Sequence, residues 1–217
     1  MGTLFASLAA GCGSSVVLDP PTIPKPLMTT IPLSVGLRMP ENFESFVHEE
    51  EVLGREQWTI DLGRSNAVFF AQLFGYMFET VTVVSEADDP SIMPFDALIE
   101  PSIDEFEFSV PNQTKTNDFA VWIRYRIKVY DRDGKLVVNW PVSAYGKSQT
   151  TVMGGKDALQ RAAILAMRDA AALMIIKFDE PTLISSISSD PTSTAVPVEE
   201  GGEATAQATT LGGDNDE

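Results

Sequence analysis

The sequence predicts an α+β domain, a mostly antiparallel sheet with two main helices packed on one face. Three observations predict it. Phe119, Val121, Ile123, Tyr125, Ile127 and Val129 alternate with Trp122, Arg124, Arg126 and Lys128, the period of a strand with one dry and one wet face. Apolar spacing changes to threes and fours at Ala67, Phe70, Leu73, Phe74 and Met77, and again between Lys156 and Phe178, the period of helices with one apolar side. The order that results is strand, strand, helix, strand, several antiparallel strands, helix, which stacks helices on a sheet instead of alternating them with strands.

Each element has its own justification. Thr30 to Leu37 alternates as a first strand, with Ile31, Leu33, Val35 and Leu37 on one face. Glu56 to Gly63 reads as a short strand or extended lead-in. Ser65 or Asn66 supplies a capping side chain for the aromatic helix that follows. Thr80 to Val84 is β-branched and ends in the loop through Asp88-Asp89-Pro90. Ala97 to Pro101 and Ser102 to Val110 form the next extended run, and a polar loop from Pro111 to Asp118 leads into the long alternating strand. Asp131-Arg132-Asp133-Gly134 is a turn whose glycine takes the positive φ. Lys135 to Tyr145 returns as its partner, and Trp140-Pro141 marks that partner as an edge, because proline cannot donate to a ladder. Gly154-Gly155 turns into a closing helix whose many alanines let it approach a sheet closely.

Hydrophobic residues make up 44% of the 217 and concentrate in one domain, residues 28–181. Residues 12–27 read as a flexible and then stiff tether, from Gly13-Ser14-Ser15 and Pro20, Pro21, Pro24 and Pro26. Residues 182–217 carry seven acidic side chains and no Lys or Arg, a composition expected to stay disordered, with Leu183, Ile184 and Ile187 as its docking points. A formal charge of −16 repels nucleic acid and excludes it as a partner. A single cysteine forbids an intramolecular disulfide, a CxxC redox pair and a cysteine-based zinc site. No cofactor is predicted.

That cysteine ends the stretch Leu8-Ala9-Ala10-Gly11-Cys12. An aliphatic residue, small residues and a glycine before cysteine form a lipoprotein processing site, with residues 1–11 as signal peptide and Cys12 as the lipidated amino terminus. Leu4 to Ala10 is too short to span a bilayer, which takes about 20 apolar residues. Two or three acyl chains on one cysteine anchor firmly where one does not. Met1-Gly2-Thr3 departs from the pattern, since a signal's first residues should carry positive charge.

Catalytic signals are sparse. His48 is the only histidine and sits in His48-Glu49-Glu50-Glu51, which lacks the second histidine of a zinc-binding HExxH and reads as a solvated loop. Asp104, Glu105 and Glu107 could serve as acid and base in glycan cleavage. They also alternate with Phe106 and Phe108, so they suit an ionic face opposite Arg124, Arg126 and Lys128. Trp122, Trp140 and Tyr145 stand on the expected outer rows or loops, and Trp122, Arg124, Arg126 and Trp140 form the candidate partner-binding patch, since interfaces favour Trp and Arg; a second layer of core is the alternative use of the same residues.

The processing site, the aromatic helix leading into a Val-rich strand, the run ALIEPSIDEFEF, the long strand ending in Asp131-Arg132-Asp133-Gly134 and the Ala-rich closing helix together resemble small bacterial envelope lipoproteins of the YajG-like, LpoB-like and PqiC-like kinds. The resemblance implies a domain anchored through Cys12 at the periplasmic face of the outer membrane, where Gly13 after the cysteine matches the sorting of such proteins. It implies a non-catalytic role in binding or assembling another envelope protein, with homo-oligomers common among such proteins. Two other functions are an auxiliary lipoprotein of a lipid-transport system, which needs an apolar groove, and a carboxylate-dependent glycan-cleaving enzyme.

Overall fold

The long alternating strand and its hairpin partner are the spine of the fold. A computed structural model of the chain describes residues 13–85, 87–88, 94–150, 154–180, 184–185 and 187. Its elements are β1 Gly13–Val17, β2 Ile31–Arg38, α1 Glu41–Glu44, β3 Val47–Val52, β4 Glu56–Asp61, α2 Gly63–Met77, β5 Phe78–Val84, β6 Ala97–Ser109, α3 Pro111–Thr114, β7 Asp118–Asp131, β8 Leu136–Gln149 and α4 Gly155–Phe178. Cys12, Leu183 and residues 188–217 lie outside the described residues.

Five strands form one sheet in the order β5-β2-β6-β7-β8, and three form another in the order β1-β4-β3. The long ladders, β6 with β7 and β7 with β8, are antiparallel. β2 runs parallel to both of its neighbours, and β1 runs parallel to β4. α2 and α4 share one face of the large sheet: Phe70 of α2 meets Tyr125 of β7 at 5.2 Å, and Phe74 meets Phe178 of α4 at 5.7 Å. The small sheet closes the same face near the β6–β7 hairpin, where Trp58 packs on Phe108 and Phe119. The α+β class and the placement of both main helices follow the sequence pattern.

The alanines of α4 seat it on the sheet. Ala162, Ala163, Ala166 and Ala170 are buried, and they let the helix backbone come so near β8 that a Cβ on Gly146 would lie 2.0 Å from the Ala162 carbonyl oxygen. Among the described residues no helix is long and apolar enough to cross a membrane.

Three sequence expectations are corrected. Residues 12–27 are not a flexible tether in their described part. Gly13–Val17 is a strand paired with β4, Val16, Leu18 and Ile23 are buried, and Gln160 of α4 donates to Asp19 at 2.9 Å. Three apolar residues in a row, Val16-Val17-Leu18, are enough for a short strand when a parallel partner stands beside them. Second, His48 is no solvated loop residue. It lies half-buried in β3, with its ring 5.0 Å from Phe106 and its Nε2 3.2 Å from a Glu50 carboxylate oxygen. Alternation in β3 sends His48, Glu50 and Val52 to one side, a period that its charged neighbours mask. Third, neither Ser65 nor Asn66 caps α2. The helix starts at Gly63, whose N–H donates to Asp61 at 3.1 Å, while the Ser65 hydroxyl bonds the Leu18 carbonyl and Asn66 accepts from the Tyr125 hydroxyl at 2.8 Å.

Candidate functional site

Because successive side chains of a strand point to opposite faces, β7 sends Tyr125 and its apolar companions to the helices and Trp122, Arg124, Arg126 and Lys128 to the other side. Register then lays out rows across β6, β7 and β8. Glu107 stands opposite Trp122 and Trp122 opposite Tyr145; Glu105 opposite Arg124 and Arg124 opposite Ser143; Glu100 opposite Lys128 and Lys128 opposite Asn139. Directly opposed side chains of an antiparallel pair are close enough to interact.

These rows pair acid with base. Arg124 bonds Glu105. Lys128 lies 3.5 Å from Glu100, which also accepts from Arg38 at 2.7 Å and 2.9 Å. Arg126 grips Asp104 through Nε at 3.0 Å and Nη2 at 2.5 Å, and donates from Nη1 to Asn139 at 3.1 Å. The hydrogen bond to Asp104 pushes the Arg126 guanidinium above its ordinary pKa. Asp104 reaches it because a register shift between Ile103 and Glu105 makes it the extra residue of a bulge. At the hairpin end Lys147 bonds Asp118 at 2.8 Å.

The Glu107 row differs. Glu107 faces an indole instead of a cation and has no ionic or hydrogen-bonding partner among the described residues. Trp122 and Tyr145 lie 5.0 Å apart with their planes tilted by 44°, and they are 43% and 42% exposed. They line a depression of about 310 Å³ together with Glu105, Glu107, Arg124 and Ser143. Toward the far end of the face, Val84, Phe95, Leu98 and Tyr130 form a small apolar cluster. Phe95 lies so close over Gly36 that a Cβ there would come within 2.9 Å of its ring.

The outer edge of this face is guarded. β8 ends the sheet, and Pro141 has no N–H to offer a further strand. The Tyr145 N–H, which points away from β7, donates to Asp169 of α4 at 3.0 Å.

Of the four residues read from sequence as a partner patch, the structure brings three together, Trp122, Arg124 and Arg126. Trp140 stands opposite Ile127 on the helix side, with its ring 5.1 Å from Phe178. Its parity with Val138, Val142 and Ala144, all buried, is the sequence signal that marks it as inward. Tyr145 takes its place on the open face. The bulge at Asp104 has no signature in the sequence, since alternation alone leaves that residue without a designated side. Among the described residues no three His, Asp or Glu side chains converge closely enough to hold a metal ion.

No family model and no curated protein sequence matches the chain. Solved structures resemble it in outline. A Xanthomonas campestris protein of the DUF330 family is 11% identical, with a TM-score of 0.48 over 75% of this chain and 92% of that one. Protein CT253 of Chlamydia trachomatis is 9% identical, with a TM-score of 0.37 over 71% of this chain and 98% of that one. Lipoprotein GNA1162 of Neisseria meningitidis is 17% identical, with a TM-score of 0.35 over 67% of this chain and 99% of that one. At these scores the likeness is one of general outline and carries no argument about function.

Proposed function

We propose that the chain is a lipid-anchored component of the bacterial envelope, held through Cys12 at the periplasmic face of the outer membrane, that binds a protein partner through the open face of its large sheet and catalyses no reaction. The observation that carries this reading is the face itself: an exposed Trp122–Tyr145 pair beside a ladder of ion pairs. Exposed aromatics next to arginine are the composition of a recognition surface. Ion pairs between neighbouring strands hold long side chains in place, so that less of their freedom is lost when a partner docks. The motif at residues 8–12 supports the anchor. Asp104 and Glu105, two of the acids that could serve glycan cleavage, are instead each held in an ion pair with a guanidinium of β7, the arrangement of an ionic sheet face.

The test combines two measurements in the native host. Mass analysis of the amino-terminal peptide is expected to find acylated Cys12 in the membrane fraction, and a free Met1 peptide from soluble protein would overturn the anchor. A photo-crosslinking residue at Ser143, in the open face, is expected to yield a protein adduct that the same residue at exposed Leu173 of α4 does not. Equal yields at both positions, or none at Ser143, would overturn the face.

A further inference from the structure

The ladder on the open face is one cation short. Each acid that β6 presents to a basic residue of β7 is paired: Glu100 with Lys128, Asp104 with Arg126 and Glu105 with Arg124. Glu107 occupies the next row of the same pattern, and its opposite number is Trp122. The place a basic side chain would fill is instead an open depression walled by the Trp122 and Tyr145 rings.

We propose that the Glu107–Trp122–Tyr145 row receives an arginine side chain presented by a protein partner, which supplies the missing cation. This rests on the reading of the sheet face as a protein-binding surface. Guanidinium is planar and weakly hydrated. It stacks on indole and phenol faces while its edge bonds a carboxylate, and here the carboxylate and both rings belong to one row. The neighbouring Arg124 is neutralised by Glu105, so it does not repel an incoming cation at short range. The charge of −16 on the whole chain draws a basic segment in from a distance, and this steering weakens with salt.

A blocked peptide, acetyl-Gly-Arg-Arg-Gly-amide, titrated into the full chain while the Trp122 indole N–H is followed by NMR, is the direct test. Saturable movement of that signal is expected, with the citrulline counterpart, equal in shape and uncharged, leaving it in place. Glu107→Gln and Trp122→Ala are each expected to weaken binding by about fivefold, the size of one exposed ion pair or one cation–π contact; the Trp122→Ala titration is followed on the backbone amides of Tyr145 and Arg124. Glu49→Gln, which removes an equal charge at an exposed position of β3 in the small sheet, is expected to stay within about twofold of the parent, since a single charge acting only through the screened overall field contributes little. Equal weakening by Glu49→Gln and Glu107→Gln would show diffuse attraction and overturn the proposal. So would unchanged binding in Glu107→Gln, or movement of Trp122 by chitotriose with none by the peptide. If the Ser143 crosslink persists while the peptide fails, the arginine falls and the binding face stands.

Discussion

Tyr125 and Asn66 meet in the middle of the core, where a hydroxyl and a carboxamide are both sealed from water. Burial pushes the Tyr125 hydroxyl well above its ordinary pKa, so it is a proton donor at neutral pH. Removing it by Tyr125→Phe leaves the Asn66 oxygen buried without a partner, and a loss of about 1–3 kcal/mol in denaturant unfolding is expected. Asn66→Leu combined with Tyr125→Phe is expected to recover part of that loss, because no orphan remains. Gly146 is a second position where one atom decides. The Cβ of Gly146→Ala would lie 2.4 Å from the backbone nitrogen of Ala166, so α4 must lift from β8, at a cost of about 3 kcal/mol. At Asp118 the hydrogen bond with Lys147 holds the carboxyl below its ordinary pKa. A lowered carboxyl pKa stabilises the fold above the unfolded value, near 4, and that contribution is lost as pH falls through the folded value. Lys147→Met should therefore lower stability at pH 7, and the gap from the parent should close below about pH 4, as chemical unfolding at the two pH values would reveal. Asn66 was legible as a polar residue at a helix start. Its buried role was not, because its partner lies 59 residues away and no local pattern joins them.

Among the elements, β7 was the most readable, since alternation sustained from Val121 to Val129 admits one period only, and it delivered Trp122, Arg124 and Arg126 to a common face. α2 and α4 were readable by the same argument. β1 and β3 were not. Each is short, and β3 hides its inward His48 and Glu50 among charged neighbours that signal solvent. Parallel pairing also escaped, because the apolar rows of β2 look the same beside a neighbour running either way. The face was therefore legible as a patch, whereas its boundary needed the register that turns Trp140 inward and Tyr145 outward. The β8 edge yields a prediction at this scale. Asp169→Ala frees the Tyr145 N–H to donate to a carbonyl of another chain's strand, and natural edges are blunted against that event. Little change in melting temperature is expected, together with concentration-dependent association by light scattering. A strictly monomeric variant at high concentration would show that Pro141 alone guards the edge.

For the molecule as a whole, the amino-terminal strand is part of the closure of the core. Leu18 is 3% exposed, and its N–H donates to the Asp61 carbonyl at 2.9 Å. Leu18→Ala is expected to lower the stability of the entire domain by about 2–4 kcal/mol, in a single cooperative transition. Separate loss of β1 ahead of the rest, visible by hydrogen exchange, would contradict that. The position of β1 also has a geometric result. It begins at Gly13, one residue past Cys12, and neighbouring Cα atoms stand about 3.8 Å apart. Acyl chains on Cys12 would thus hold the domain on a hinge and not on a leash, and its search for a partner would become two-dimensional. A protein embedded in or lying on the same leaflet would meet it at raised local concentration, whereas one tethered to the opposite membrane would have to bring the reach itself.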